Sequence, residues 1–409
     1  MPRILDRAPV AVALALAAAA VAVLVMMPRA GVIEPVAVDP RDWFTPSQLE
    51  RASAFRVPQL WLAVAGLLVQ AGVLAWLVVR PPALLGRAWR HPVVAGAVAG
   101  AAIALLLAVA VLPVGAAMHA RAADVGLATG GWGRWAIDWA QGLAVAAVIA
   151  AVLTAVGIAL MRRLPRAWWA VAAALTVLAV TLFTFARPLV IDPLFNDFRE
   201  LPAGPARQTV TGLASRAGVD VGSVLVVDAS RRTSAANAYV DGIGSSRRVV
   251  LYDTLLRDFP PAQTRLVVAH ELAHVRYDDI WRGLLFVALV APAGFFAVSR
   301  LVRAWAPAPD PAGRPGPATV PALTAAAMLM IFLLTLVSNP LSRGVEARAD
   351  AYSLSLTGEA PAFIAQQRRL AIRNVSEPDP PFLSRLLFGT HPTTDQRIGI
   401  GLAWERGNR

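Results

Sequence analysis

The sequence predicts a mostly α, polytopic membrane protein with about seven transmembrane helices and a small α+β domain outside them. Three observations lead there. Hydrophobic residues make up 57% and charged residues 16% of the 409 residues, with a mean hydropathy of +0.58, a balance too apolar for a soluble domain. Apolar stretches long enough for a hydrocarbon core of ~30 Å, which takes about 20 residues, recur at 8–27, 58–79, 92–118, 136–161, 167–186, 281–299 and 319–338. Two polar regions remain, 187–280 and 339–409, and aqueous chemistry belongs there.

The first stretch, between Arg7 and Pro28, exceeds the roughly 7–15 residues of a signal-peptide core, so an uncleaved span is expected. Five spans therefore fall in 1–186, and 187–409 carries the polar domain with the last two. The linker from Trp305 to Pro321 is rich in Pro and Gly and reads as irregular. Within 222–256, the runs VLVV, NAYV and RRVVLY are β-rich and separated by Gly and Ser turn signals, which predicts a small sheet. After Asp258, Pro260 and Pro261 mark a helix start, and Leu266, His270 and His274 then share one stripe.

Cysteine is absent, so a metal would be held by His, Asp or Glu without thiolates. The net charge of +12 comes from arginine alone, spread over loops and helix ends. That distribution suits membrane flanks and lacks the concentrated face of a nucleic-acid binder, so no nucleic-acid partner is expected. The partner expected from composition is the bilayer.

Two of the five histidines lie in HELAH, residues 270–274. Chance would place this pattern in such a composition about once in 10³ sequences. Positions i and i+4 share a helix face, so His270 and His274 can face one ion with Glu271 beside it. Zinc in such a site commonly keeps a position for water, and Glu271 would take that water's proton. A third ligand is available 72 residues on, where Glu346 and Asp350 stand at i, i+4 in LSRGVEARADAYSLSLTG. One carboxylate can bind metal while the other supports a ligand; a solvated charged face is the rival reading.

HELAH, SRGVEARADAYSL, NAYVDGIGSSRRVVLYDTLL, PLFNDFRELP and HPTTDQRI together resemble the integral-membrane zinc metallopeptidases typified by CAAX prenyl endopeptidases of the a-factor-processing type. The resemblance covers about 187–404, while the N-terminal spans match in number and hydropathy. It implies a gluzincin-type domain above a chamber enclosed by the spans. One zinc per chain would be held by His270, His274 and Glu346, with Glu271 as general base and then proton donor, and Asp350 orienting a histidine. An edge strand with Asn237, Ala238 and Tyr239 would pair with an extended substrate; a plain core strand is the alternative for their side chains. The pattern at His391, Pro392, Arg397 and Ile398 would put His391 at the developing oxyanion and Arg397 at the substrate, with a structural histidine as the rival. His91 and His119 receive no role.

Arginines near span ends divide evenly between the two sides, so the positive-inside rule leaves sidedness open. The resemblance implies a cytoplasmic catalytic domain in a bacterial inner membrane. Rival functions are a heat-shock-type quality-control metalloprotease and a seven-span transporter or receptor with a vestigial metal motif. The spans are almost bare of the ionisable residues a transporter would need.

Overall fold

The computed structural model describes residues 7–87, 89–242, 247–307 and 314–407. The expected turn at 243–246 and the linker's middle, 308–313, lie outside the described residues. Among the described residues, seven helices are long and apolar enough to cross a membrane, the number read from the apolar runs.

The membrane part begins with α1 (Arg7–Met26), α2 (Pro46–Val79), α3 (Pro92–Asp124), α4 (Trp132–Arg163) and α5 (Trp168–Val190). Several outrun their apolar cores. In α2 the polar turns 46–57 precede the predicted span, started by a capping box at Thr45 and Gln48. The burial of α1 follows its alanines: Ala8, Ala11, Ala15, Ala19 and Ala22 form one buried stripe. That stripe packs on later helices through Ala297, Val298 and Val290. Small side chains let backbones approach closely, the usual solution where lipid supplies no hydrophobic drive.

The polar domain holds α6 (Asp192–Phe195), β1 (Phe198–Glu200), α7 (Pro205–Ala217), β2 (Ser223–Val227), β3 (Ala238–Asp241), β4 (Arg248–Tyr252), α8 (Asp253–Asp258) and α9 (Pro261–Arg276). The four strands run in the order β1-β2-β4-β3. Sequence reading finds the last three and misses β1, whose three residues are too short to alternate visibly. One face of the sheet buries Val249, Leu251 and Ala238 against Val268 and Leu272 of α9. The chain then re-enters the membrane as α10 (Asp279–Trp305) and returns as α11 (Val320–Thr357). It closes with α12 (Ala360–Arg373), α13 (Phe382–Phe388) and α14 (Thr394–Gly407).

Two features position the site. First, α11 is one 38-residue helix, about 57 Å long at 1.5 Å per residue, which joins the span expected at 319–338 to the segment LSRGVEARADAYSLSLTG. The part beyond a ~30 Å core carries Glu346 and Asp350. Second, residues 27–45 form a strap under the polar domain. Phe44 is buried with Ile364 and Ile398, and the Val36 amide donates to the Gly399 carbonyl at 3.3 Å. The tip between α3 and α4 also docks on this domain: Thr129 donates from N and Oγ1 to the carbonyls of Arg232 and Ser230. Asp138 of α4 pairs with Arg232 at 2.8 Å. His119 stacks on Trp135.

Candidate functional site

The site is built where α9 passes under the sheet and against α11. Leu266, Val268, Ala269, Leu272 and Ala273 are buried to 1% exposure or less, which fixes the rotation of α9 and turns His270, Glu271 and His274 towards the cleft. These three place ligand atoms within 4.8 Å of one another, and the two imidazole centroids are 5.1 Å apart.

Each histidine has one nitrogen engaged away from the centre. His270 Nδ1 is 2.9 Å from Asp350 Oδ1, and His274 Nδ1 is 3.0 Å from Asp279 Oδ2. Donation from Nδ1 to a carboxylate leaves Nε2 with its lone pair, the form a metal needs. Both Nε2 atoms turn to Glu346, at 3.0 Å for His270 and 3.7 Å for His274. Glu346 therefore meets both histidines, whereas Glu271 lines the neighbouring cleft. Both carboxylates thus lie close to the histidine pair.

Charge balance supports a divalent ion. Glu271, Glu346, Asp350 and Asp279 face Arg397 and Arg348, so with neutral histidines the cluster carries two net negative charges. A single divalent cation cancels them, which removes the cost of uncompensated buried charge. Without an ion, protons take that place. Burial opposes charge on His270, yet the hydrogen bonds it donates to Asp350 and Glu346 outweigh it and push the imidazole up to about 10. His274 is raised despite burial, through its bond to Asp279. Burial raises the Glu271 carboxyl, a shift towards the proton affinity a general base needs.

Asp350 is fully buried. The sequence reading puts Arg397 at the substrate. Although it borders the cavity, its guanidinium grips both oxygens of Asp350, from Nε at 2.8 Å and from Nη2, so its contacts here are those of an anchor. His391 comes from the loop before α14. Its Nε2 lies 3.3 Å from Glu346 Oε2, and Thr390 Oγ1 is 3.0 Å from its Nδ1.

The strand β3 is an edge, paired only with β4 among the described strands. The Tyr252 amide donates to the Asn237 carbonyl, and Tyr239 stands opposite Val250. Antiparallel alternation then directs the main chains of Asn237 and Tyr239 to β4 and those of Ala238 and Val240 outwards. The Tyr239 side chain packs on the far face with Val227 and Val250, away from α9, which lies on the other face of the sheet. At Ala236 the edge is closed by the Asn374 amide, which accepts from its N–H at 3.1 Å.

Two cavities flank this edge. A large one of about 960 Å³ reaches Asn237 and His391 and is walled by Leu60, Met118 and Phe382. A smaller one of about 310 Å³ lies between Val240, Glu271, His274 and Trp281. Asp279, Arg348 and Asn374 are the site residues the sequence reading overlooks. The only trace of the first is the DD pair just after HELAH.

Fold and site together define a polytopic membrane protein with a metallopeptidase-type centre. A family model described as Peptidase family M48 matches residues 201–400, and one described as CAAX prenyl protease N-terminal, five membrane helices, matches 41–197. The polar domain is thus similar to the peptidases of family M48, and the membrane part to the N-terminal membrane region of CAAX prenyl proteases. It is 34% identical to the uncharacterized metalloprotease YhfN of Bacillus subtilis, over 58% of this chain and 57% of that protein. It is 31% identical to the CAAX prenyl protease 1 homolog of Oryza sativa, over 56% and 54% respectively. The matches thus span about half the length of these relatives. The crystal structure of S. mikatae Ste24p shares the fold, with a TM-score of 0.76 at 19% identity, over 96% of this chain and 98% of that one.

Proposed function

We propose that the chain is a membrane-embedded zinc metalloendopeptidase that cuts peptide bonds in the manner of CAAX prenyl endopeptidases. The observation that carries this reading is the convergence of His270 Nε2, His274 Nε2 and the Glu346 carboxylate while both Nδ1 atoms are held elsewhere. Zinc bonds of about 2.0–2.2 Å at tetrahedral angles put neighbouring ligand atoms about 3.3–3.5 Å apart. The 3.0 and 3.7 Å separations bracket that spacing, and a thiolate-free N/O donor set suits zinc with an open position.

Zinc, when bound, supplies a Lewis acid that polarises the scissile carbonyl and acidifies water. Glu271 takes the proton of the attacking water and passes it to the leaving amine. His391 has Thr390 Oγ1 at Nδ1, and a bond donated there leaves an Nε2 proton to offer the developing oxyanion. Asp350 and Arg397 keep His270 in the ligating tautomer. Substrate lies extended along β3, bonded to the outward main chain of Ala238 and Val240, with Asn237 facing the larger cavity. The substrate is a peptide or protein.

Functionally the chain divides into 1–186, a membrane part, and 187–409, the peptidase part; the break between the matched regions after residue 197 supports a division nearby. By analogy with the family the peptidase part faces the cytoplasm of a bacterial cell membrane. Cleavage of a peptide library by purified protein tests the activity. Chelation should abolish it, zinc should restore it, and Glu271→Gln should retain the metal and lose at least about 10²-fold in kcat. Cleavage that survives both treatments refutes the proposal.

A further inference from the structure

We infer that Asp279 and Arg348 are a second positioning pair for the metal centre, holding His274 as Asp350 and Arg397 hold His270. The inference rests on His274 being a zinc ligand. In an uninterrupted helix residue i+5 lies about 140° around the axis, so Asp279 would face away from His274. Asp278 breaks the helix in the left-handed region, at φ 54° and ψ 39°, a conformation uncommon for residues with side chains. The break turns Asp279 back until Oδ2 stands 3.0 Å from His274 Nδ1.

The other oxygen, Oδ1, accepts from Arg348 Nη2. Arg348 is 5% exposed, and its guanidinium lies 4.1 Å over the Tyr277 ring. With both oxygens engaged and the arginine clamped, the carboxylate cannot rotate without losing a charged bond. The imidazole is thereby fixed with its proton on Nδ1 and Nε2 free.

The origin of these residues adds a consequence. Asp279 opens α10 and Arg348 stands on α11, both membrane-crossing helices. On their far side the strap presses in: a Cβ at Gly31 would lie 3.4 Å from the Tyr277 hydroxyl and 3.7 Å from Arg348. The packing of the first, sixth and seventh spans therefore reaches one metal ligand through a single carboxylate. His270, by contrast, is steadied by α11 and α14.

Zinc affinity of the full chain in detergent, measured by competition with a chromogenic chelator, tests this. Asp279→Ala should weaken binding about 10- to 100-fold, the usual effect of losing a carboxylate behind a ligating histidine. Arg348→Gln should weaken it less. The double variant, which leaves no unpaired buried charge, should match Asp279→Ala instead of multiplying the losses. Thermal unfolding of the metal-free chain separates misfolding from loss of metal. The cobalt-substituted double variant should show a shifted visible spectrum, which a purely structural role would not produce. A folded double variant that binds zinc as tightly as wild type, while His274→Ala does not, overturns the inference. Undiminished affinity in His274→Ala would remove the ligand assignment, and the inference with it.

Discussion

Each residue of the centre has two faces with different tasks, and the tasks can be separated by substitution. His391 touches Glu346 but stands outside the His270–His274–Glu346 set, and its side chain is 57% exposed to the cleft. As an oxyanion donor it acts on the transition state more than on substrate or metal binding. His391→Ala should therefore lower kcat by about 10²–10³-fold with zinc content and KM nearly unchanged, as steady-state kinetics and metal analysis would show. An equal rise in KM with kcat intact would instead mark a residue that only binds substrate.

At the scale of elements, the edge strand divides its main chain between sheet and cleft. Proline lacks the amide donor and is tolerated where that donor is not part of a ladder. Val240→Pro removes a donor on the open edge and spares the pairing with β4. It should fold normally and lose kcat/KM on extended peptides by about 10-fold, the worth of about one hydrogen bond of 0.5–1.5 kcal/mol. Tyr239→Pro breaks a bond to Val250 within the sheet and should lower the melting temperature. Circular dichroism melts beside peptide kinetics distinguish them, and equal thermal losses in both variants would count against the register argument. Similarly, α11 joins chemistry to membrane: one 38-residue helix, with Pro340 in its interior, carries the apolar stretch and, beyond it, Glu346 and Asp350.

For the whole molecule, the first span and its strap are structural parts of the catalytic region. A Cβ at Gly399 would lie 2.2 Å from the Val36 carbonyl oxygen. Gly399→Ala must push the strap away from α14. We expect a loss of about 1–3 kcal/mol, seen as a lower melting temperature in detergent. Ala15 is fully buried between spans, so Ala15→Leu should wedge α1 from its neighbours at a similar cost. A melting temperature unchanged by Ala15→Leu would show that α1 packs loosely.

Hydropathy reveals the spans because the bilayer acts on each segment by itself: about 20 apolar residues are stable there whatever their neighbours. HELAH is legible for a related reason, since i and i+4 share a face in any α-helix. Glu346 and Asp350 are visible as a spaced pair, and the motifs around them carry the resemblance to a family. Asp279 is not visible, because a regular helix would turn it away and only the left-handed Asp278 brings it back. Arg348 and Asn374 look like ordinary surface polar residues, and Arg397 reads as a substrate residue, until folding sets them beside Asp279, Ala236 and Asp350. The phase of β3, which main-chain groups face the cleft, depends on which neighbour takes the other side. Local periodicity thus fixed the elements and the metal-binding pattern of this chain. Only the meeting of distant segments, 69 residues apart for Asp279 and Arg348 and 47 for Asp350 and Arg397, decided which charges hold the ligands still, because pairing of buried charge depends on positions in space that no local sequence window contains.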